Sequence, residues 1–243
     1  MRVLSARYIA AVLVLLGIAN LARAAIIAPP APDFKIMMQV VGSTGSYPIV
    51  PDSVTPIPNG DKWKYQVDGH YVQHGYDMTL SFTIDPDPTI TGNVAITNVT
   101  AAPQDYLFTF NLPVSPGFNP SQLNGSVGVT ATADSTAGAV ATTSPDPLYT
   151  ALIDNVGVKT LLNNPFSLPV AAFDSNVTTA KFGLPVPDAG GAVNSSIGIK
   201  LHFNVTPGDQ AGVTSQFTAN PVPEPTALLG LAIAGVALVR RRK

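Results

Sequence analysis

His70 and His74, in the run Gly69-His-Tyr-Val-Gln-His-Gly75, are the closest this sequence comes to a local pair of metal ligands. On a helix that spacing would put both imidazoles on one face, where they could hold Zn or Cu. On a strand they also share a face, but they stand ~13 Å apart, too far for one ion unless the backbone bends. The flanking glycines and the neighbouring strand pattern favour the second case, so these histidines are expected to face solvent. His202 would join them only from an adjacent strand. Asp85-Pro86-Asp87-Pro88, with Asn93 nearby, offers carboxylates to a structural Ca²⁺. The same four residues also make an Asp-Pro turn that needs no metal. Beyond that Ca²⁺ alternative, no cofactor and no metal site is expected.

The machinery for covalent chemistry is thin. The chain has no cysteine. It has no Gly-x-Ser-x-Gly elbow, no phosphate-cradling glycine loop and no His-Glu-x-x-His. Paired carboxylates could come only from aspartates, most of which sit beside proline or glycine as turn formers do. The sequence therefore reads as a non-enzyme. An Asp-dependent secreted hydrolase, with two carboxyl groups ~5–9 Å apart in a cleft, is the remaining catalytic alternative. The densest aromatic group is Trp63, Tyr65 and Tyr71, with Tyr76 close behind. Exposed, these rings would stack on sugars; buried, they would belong to the core. Asn98, Asn124, Asn176, Asn194 and Asn204 each begin an Asn-x-Ser/Thr sequon.

Charge narrows the partners. All six arginines lie near the termini, and the body between Ala25 and Val222 holds six lysines against 14 aspartates, a formal charge of −8. Nucleic acid needs clustered cations to displace its counterions, so it is excluded as a partner. The scarcity of Glu, Arg and Met between the two ends also removes many good helix formers.

Period-two alternation dominates that body. Met78, Leu80, Phe82 and Ile84 share one face, as do Tyr106, Phe108, Phe110 and Leu112. Ile197, Ile199, Leu201, Phe203 and Val205 point inward, with Lys200 and His202 among the outward positions between them. Further strands are expected over 35–41, 62–72, 89–100, 122–132, 167–173 and 177–182. Pro- and Gly-containing turns separate them. The fold class is all-β: an antiparallel β-sandwich, jelly-roll or immunoglobulin-like, flanked by an N-terminal signal peptide and a C-terminal hydrophobic helix. Residues 25–61 read as a Pro-rich segment with one strand, 62–206 as the sandwich, and 207–222 as a linker. A helical candidate spans 147–162, and 130–144 reads as a mobile loop or a strand pair.

The two ends read as addresses. Residues 1–24 have a basic start, an apolar run of 11 residues from Tyr8 to Ile18, and Ala22-Arg23-Ala24 as a cleavage site that would leave Ala25 first. At the other end, Pro223-Glu224-Pro225 precedes an apolar stretch from Thr226 to Val239, which includes Leu228, Leu229, Leu231, Ile233, Val236 and Leu238. Arg240, Arg241, Arg242 and Lys243 close it. Fourteen helical residues span ~21 Å, short of a full hydrocarbon core, while the terminal cations can snorkel to headgroups.

This order over 223–243, coupled with an export signal, resembles the PEP-CTERM sorting signal of Gram-negative bacteria. The resemblance implies that Pro223, Glu224 and Pro225 are a recognition motif, Thr226 to Val239 a transient membrane anchor, and Arg240 to Lys243 a stop-transfer cluster. It implies export by the Sec machinery, cleavage near the motif by a membrane-embedded exosortase, and delivery to the cell surface or extracellular matrix. The expected role is structural or adhesive, associated with exopolysaccharide or biofilm. A carbohydrate-binding module on the same anchor is the alternative.

Overall fold

A computed structural model of the chain describes residues 28–42, 45–73, 75–142 and 145–222. The signal-peptide and cleavage residues, the sorting tail from Pro223 to Lys243, and His74 lie outside these. Residues 28–30 have no regular secondary structure, and every strand belongs to the unit that begins at Ala31. Among the described residues there is no helix long and apolar enough to cross a membrane.

Sixteen strands follow one another: β1 (Lys35–Val40), β2 (Tyr47–Pro48), β3 (Ser53–Asn59), β4 (Lys62–Gln73), β5 (Tyr76–Asp85), β6 (Thr89–Asn98), β7 (Gln104–Pro113) and β8 (Ser121–Thr132) form the first half. The second half is β9 (Gly138–Ala141), β10 (Tyr149–Ile153), β11 (Val156–Leu161), β12 (Ser167–Val170), β13 (Ser175–Phe182), β14 (Asp188–Gly190), β15 (Ser196–Val205) and β16 (Gln210–Pro221). They build two antiparallel sheets packed face to face. Sheet I runs β11-β10-β15-β7-β1-β2, with β9 joining β15 to β12. Sheet II runs β13-β8-β16-β6-β5-β4-β3, with β14 beside β8.

The alternating apolar residues form the interface between the sheets. Phe82 of sheet II packs between Phe108 and Phe110 of sheet I, with ring centroids 5.7 and 4.9 Å away. Phe34 stacks on Phe110 at 5.5 Å from just ahead of β1. A second aromatic group joins Tyr149 of sheet I to Phe182 and Phe217 of sheet II. The Tyr149 hydroxyl donates to the Gln216 carbonyl at 2.8 Å, which lets a phenol lie fully buried.

Three segments differ from the sequence reading. Residues 207–222, expected as a linker, contain β16, which lies between β6 and β8 near the middle of sheet II. Its inward residues Ala211, Val213, Ser215, Phe217 and Ala219 are at most 1% exposed, but three of the five are small or polar, so the alternation was faint. The expected helix over 147–162 is instead the β10–β11 hairpin. Ile153 pairs with Val156 across a two-residue turn whose members Asp154 and Asn155 have φ of 50° and 65°. That is the left-handed pair a tight hairpin needs, and Asp and Asn tolerate it better than most residues. Ser53–Asn59, expected as extended chain or loop, is the edge strand beside β4. Pro56 and Pro58 remove two alternate N–H donors from it, which suits an edge and blunts pairing with another chain.

β1 begins opposite Asn111 near the end of β7, and β16 ends opposite Ser121. The loop that continues β7, from Val114 to Phe118, lines one cavity of about 440 Å³ together with Asn220 and Pro221. The sandwich therefore starts and finishes at the same end. At the end of the described residues the Val222 amide donates to the Pro120 carbonyl at 3.1 Å.

Candidate functional site: a charge-poor polar face

Strand parity decides where the sequence candidates stand. Trp63, Tyr65 and Tyr71 fall on the same side of β4 as Val67, which is the inward side. Tyr65 is 2% exposed and in the core; Trp63 and Tyr71 are half-buried and packed against it. The Tyr71 hydroxyl donates to the Val50 carbonyl at 2.6 Å, and burial pushes the phenol's pKa up. The three rings are wall and core, not a strip on which sugars could stack. The physical reason is that a two-residue period commits all three odd positions to one face.

The polar candidates are tied up locally. His70 Nε2 bonds Asp77 Oδ1 at 2.8 Å across the β4–β5 pair. Asp85 accepts from the Asp87 amide at 3.0 Å and lies 3.5 Å from the Lys64 ammonium, while Asp87 pairs with Lys62. This is the Asp-Pro turn. Asn93 stands out on the outer face of β6, bonded to Thr214 Oγ1 at 3.2 Å, and adds nothing to that turn. Among the described residues no three His, Asp or Glu side chains gather closely enough to share a metal ion.

One constellation escaped the sequence reading. Asp146 Oδ2 accepts from Lys200 Nζ at 3.0 Å and lies 3.3 Å from His202 Nδ1. The Lys200 hydrogen bond, chiefly, holds the Asp146 carboxyl below the usual range. Lys200 and His202 are outward positions of β15, as expected, but His202 is only 8% exposed. It is covered because the chain around Leu148, whose carbonyl accepts from the His202 amide at 2.9 Å, lies against β15 there. His202 Nε2 and Thr150 Oγ1 are both buried without a partner, so they are not bonded to each other. An aspartate thus orients an imidazole; among the described residues no hydroxyl bonds the His202 ring, and the group ties the β9–β10 connection to the sheet.

The sequons divide in the same way. Asn98 is fully buried, and its Nδ2 donates to the carbonyls of Ala102 and Val205 at 2.8 and 2.9 Å. The amides of Asn176 and Asn194 are given to Pro169 O and Asp154.

Among the described residues the outer face of sheet II forms one coherent polar surface. Lys181 stands opposite Ser126, Ser126 opposite Gln216, Gln216 opposite Thr91, Thr91 opposite Thr83, and Thr83 opposite Gln66. The next row runs Thr179, Gly128, Thr214, Asn93, Ser81 and Asp68. Six strands at ~4.8 Å make each row ~24 Å long. Neighbours in the rows bond one another: Thr83 donates to Gln66 at 2.9 Å, Gln66 to Ser81 at 2.8 Å, and Ser81 to Asp68 at 2.7 Å. Over β13, β8, β16 and β6 the outward positions carry a single charge, Lys181, although the body has 14 aspartates. Hydroxyls and amides in fixed rows can exchange hydrogen bonds with a neutral polar partner.

Comparison with protein-family models gives no match, and comparison with curated proteins gives none either.

Proposed function

We propose that this protein is an exported surface or extracellular-matrix component of a Gram-negative bacterium. An exosortase processes it, and its role is structural or adhesive, in contact with exopolysaccharide, not enzymatic. The observation that carries the reading is the order of the last segment: Pro223-Glu224-Pro225, then an apolar run, then Arg240-Arg241-Arg242-Lys243. The residues before it support the reading. β16 keeps its pairing to Pro221, so the motif follows directly on a folded strand with no spacer. A sandwich without cysteine needs no oxidant after export. Of the two sandwich types, jelly-roll fits the chain's repeated passage between the sheets better than immunoglobulin-like.

Mass spectrometry of the protein recovered from its host tests the reading. The expected mass starts at Ala25 and ends near Pro225; an intact tail in a host that makes exosortase would refute it. Replacing Arg240–Lys243 with neutral residues is expected to impair surface delivery. A carbohydrate-binding role on the same anchor is the second reading, and the charge-poor outer face of sheet II over β13, β8, β16 and β6 favours it in place of the buried aromatics.

A further inference from the structure

The structure assigns a groove on the outer face of sheet II, over β13, β8 and β16, as the binding site for a neutral polysaccharide chain. This rests on the reading of the protein as a surface component that meets exopolysaccharide, and it locates the contact.

Three observations converge there. First, a cavity of about 570 Å³ is recorded on this face, with Ser126, Thr130, Thr179 and Thr214 on its walls and Gly128 in its floor. That is a ligand-sized volume. Second, the glycines are not required by the fold. Neither Gly128 nor Gly212 has a left-handed backbone. A Cβ at Gly128 would touch only Thr179 Cγ2, at 3.6 Å, and the Thr178 carbonyl, at 4.0 Å. A Cβ at Gly212 would touch only Thr130 Cβ, at 3.8 Å. Elsewhere sheet II uses glycine under compulsion: a Cβ at Gly125 of β8 would lie 2.6 Å from the Phe182 ring, and one at Gly92 of β6 2.3 Å from Phe82. Glycine inside a strand weakens it, and where no neighbour demands it, it marks a place where something approaches the backbone. Third, the charge pattern selects the occupant. A body of formal charge −8 keeps every aspartate off this part of the face and leaves hydroxyls, amides and the exposed Val177 side chain, with Lys181 at the rim. An anionic polymer would be repelled by the rest of the body, and an apolar partner would strand the hydroxyls. A hydroxyl-rich neutral chain satisfies them, and the rows cross the three strands of the groove over ~10 Å, presenting repeated donors and acceptors to a repeating polymer.

The test is affinity electrophoresis of the protein as secreted by its host, in gels carrying dextran, a soluble β-1,3-glucan or a galactomannan, with alginate as the anionic comparison. At least one neutral polymer is expected to retard the protein while alginate does not. Gly128→Val, which suits a strand and fills the floor, is expected to weaken retardation at least roughly tenfold, the effect of losing a contact or two. Its urea midpoint should stay equal or rise, so lost binding cannot be blamed on lost folding. Thr109→Val, on the outer face of sheet I, is expected to change nothing. Retardation by alginate alone, no retardation by any polymer, or equal retardation of wild type and Gly128→Val would each overturn the assignment. A concentration-dependent dimer abolished by Gly128→Val would also overturn it, by making the groove a contact between copies. Processing of Gly128→Val by mass is expected to be normal, so failure of the groove and failure of the sorting reading give separate signals.

Discussion

Asn98 offers the sharpest test of how this sandwich holds together. It ends β6 fully buried and serves both ends of its amide. Nδ2 donates to Ala102 O at 2.8 Å and Val205 O at 2.9 Å, while Oδ1 accepts from the Thr100 amide at 2.9 Å and the Thr100 hydroxyl at 2.7 Å. Its backbone is engaged too: the amide donates to Asp209 O at 3.0 Å, and the carbonyl accepts from Gly208 at 2.9 Å. One residue thus joins the β6–β7 connection and the end of β15 through its side chain, and the turn into β16 through its backbone. Asn98→Ala removes four side-chain bonds. Ala102 and Thr100 lie near solvent and can turn to water, at a net loss of about 0.5–1.5 kcal/mol each. The Val205 carbonyl belongs to a fully buried residue, and stranding it costs about 1–3 kcal/mol. The sum is about 2–6 kcal/mol, to be read from urea unfolding at pH 7. Asn98→Asp keeps the shape and the bonds from Thr100 but turns a donor pair into charge facing two carbonyl oxygens. Burial and those carbonyls raise the new group's pKa in the folded state. That variant is therefore weakest at neutral pH and recovers as pH falls through the raised value, the opposite of an ordinary native carboxylate. A loss below about 1 kcal/mol for Asn98→Ala, or a pH-independent deficit for Asn98→Asp, would refute this account.

Other outcomes follow from single contacts. Asp154 accepts five hydrogen bonds, from Asn194 N and Nδ2, Ser195 N and Oγ, and Ser196 N, at 2.7–3.0 Å. Partial burial works against its charge, but these donors outweigh it and hold the carboxyl well below the usual range. Its contribution is complete above the ordinary carboxylate pKa and is lost as pH falls from there toward the folded value. Asp154→Ala should cost about 2 kcal/mol at pH 7, and less near pH 2, by urea midpoint. Ser215 is 1% exposed with its hydroxyl unpartnered, so Ser215→Ala should leave stability unchanged or raise it by about 1 kcal/mol, measured by thermal unfolding. Pro56→Thr with Pro58→Thr restores two N–H donors to an edge strand, and sedimentation should show association that the wild type lacks.

Much of the fold was legible because period two is a local property. β5, β7 and β15 needed nothing beyond alternating apolar residues, and their inward sets in the sheet interface follow from parity alone. β16 was illegible for a non-local reason. It lies in the interior of a sheet, opposite bulky residues supplied by the other, so Ala211, Ser215 and Ala219 suffice where the sequence shows little hydrophobic signal. The β10–β11 hairpin was hidden differently: Leu148, Leu152, Val156 and Leu161 have helical spacing, and only the φ values of Asp154 and Asn155 reveal the turn between them.

The candidate site shows the same division. Composition alone determined that the body is acidic, lacks cysteine and carries no nucleophile motif, because these are counts and patterns within a few residues. The order of residues in the tail likewise belongs to the sequence, since a short motif, an apolar run and a basic cluster are read along one line. Only the tertiary structure decided that Trp63, Tyr65 and Tyr71 face inward, that Asp146 meets His202, and that Gly128, Thr214 and Thr179 share one row. Asp146 and His202 are 56 residues apart, and register between distant strands is set by pairing and packing, which no local pattern encodes.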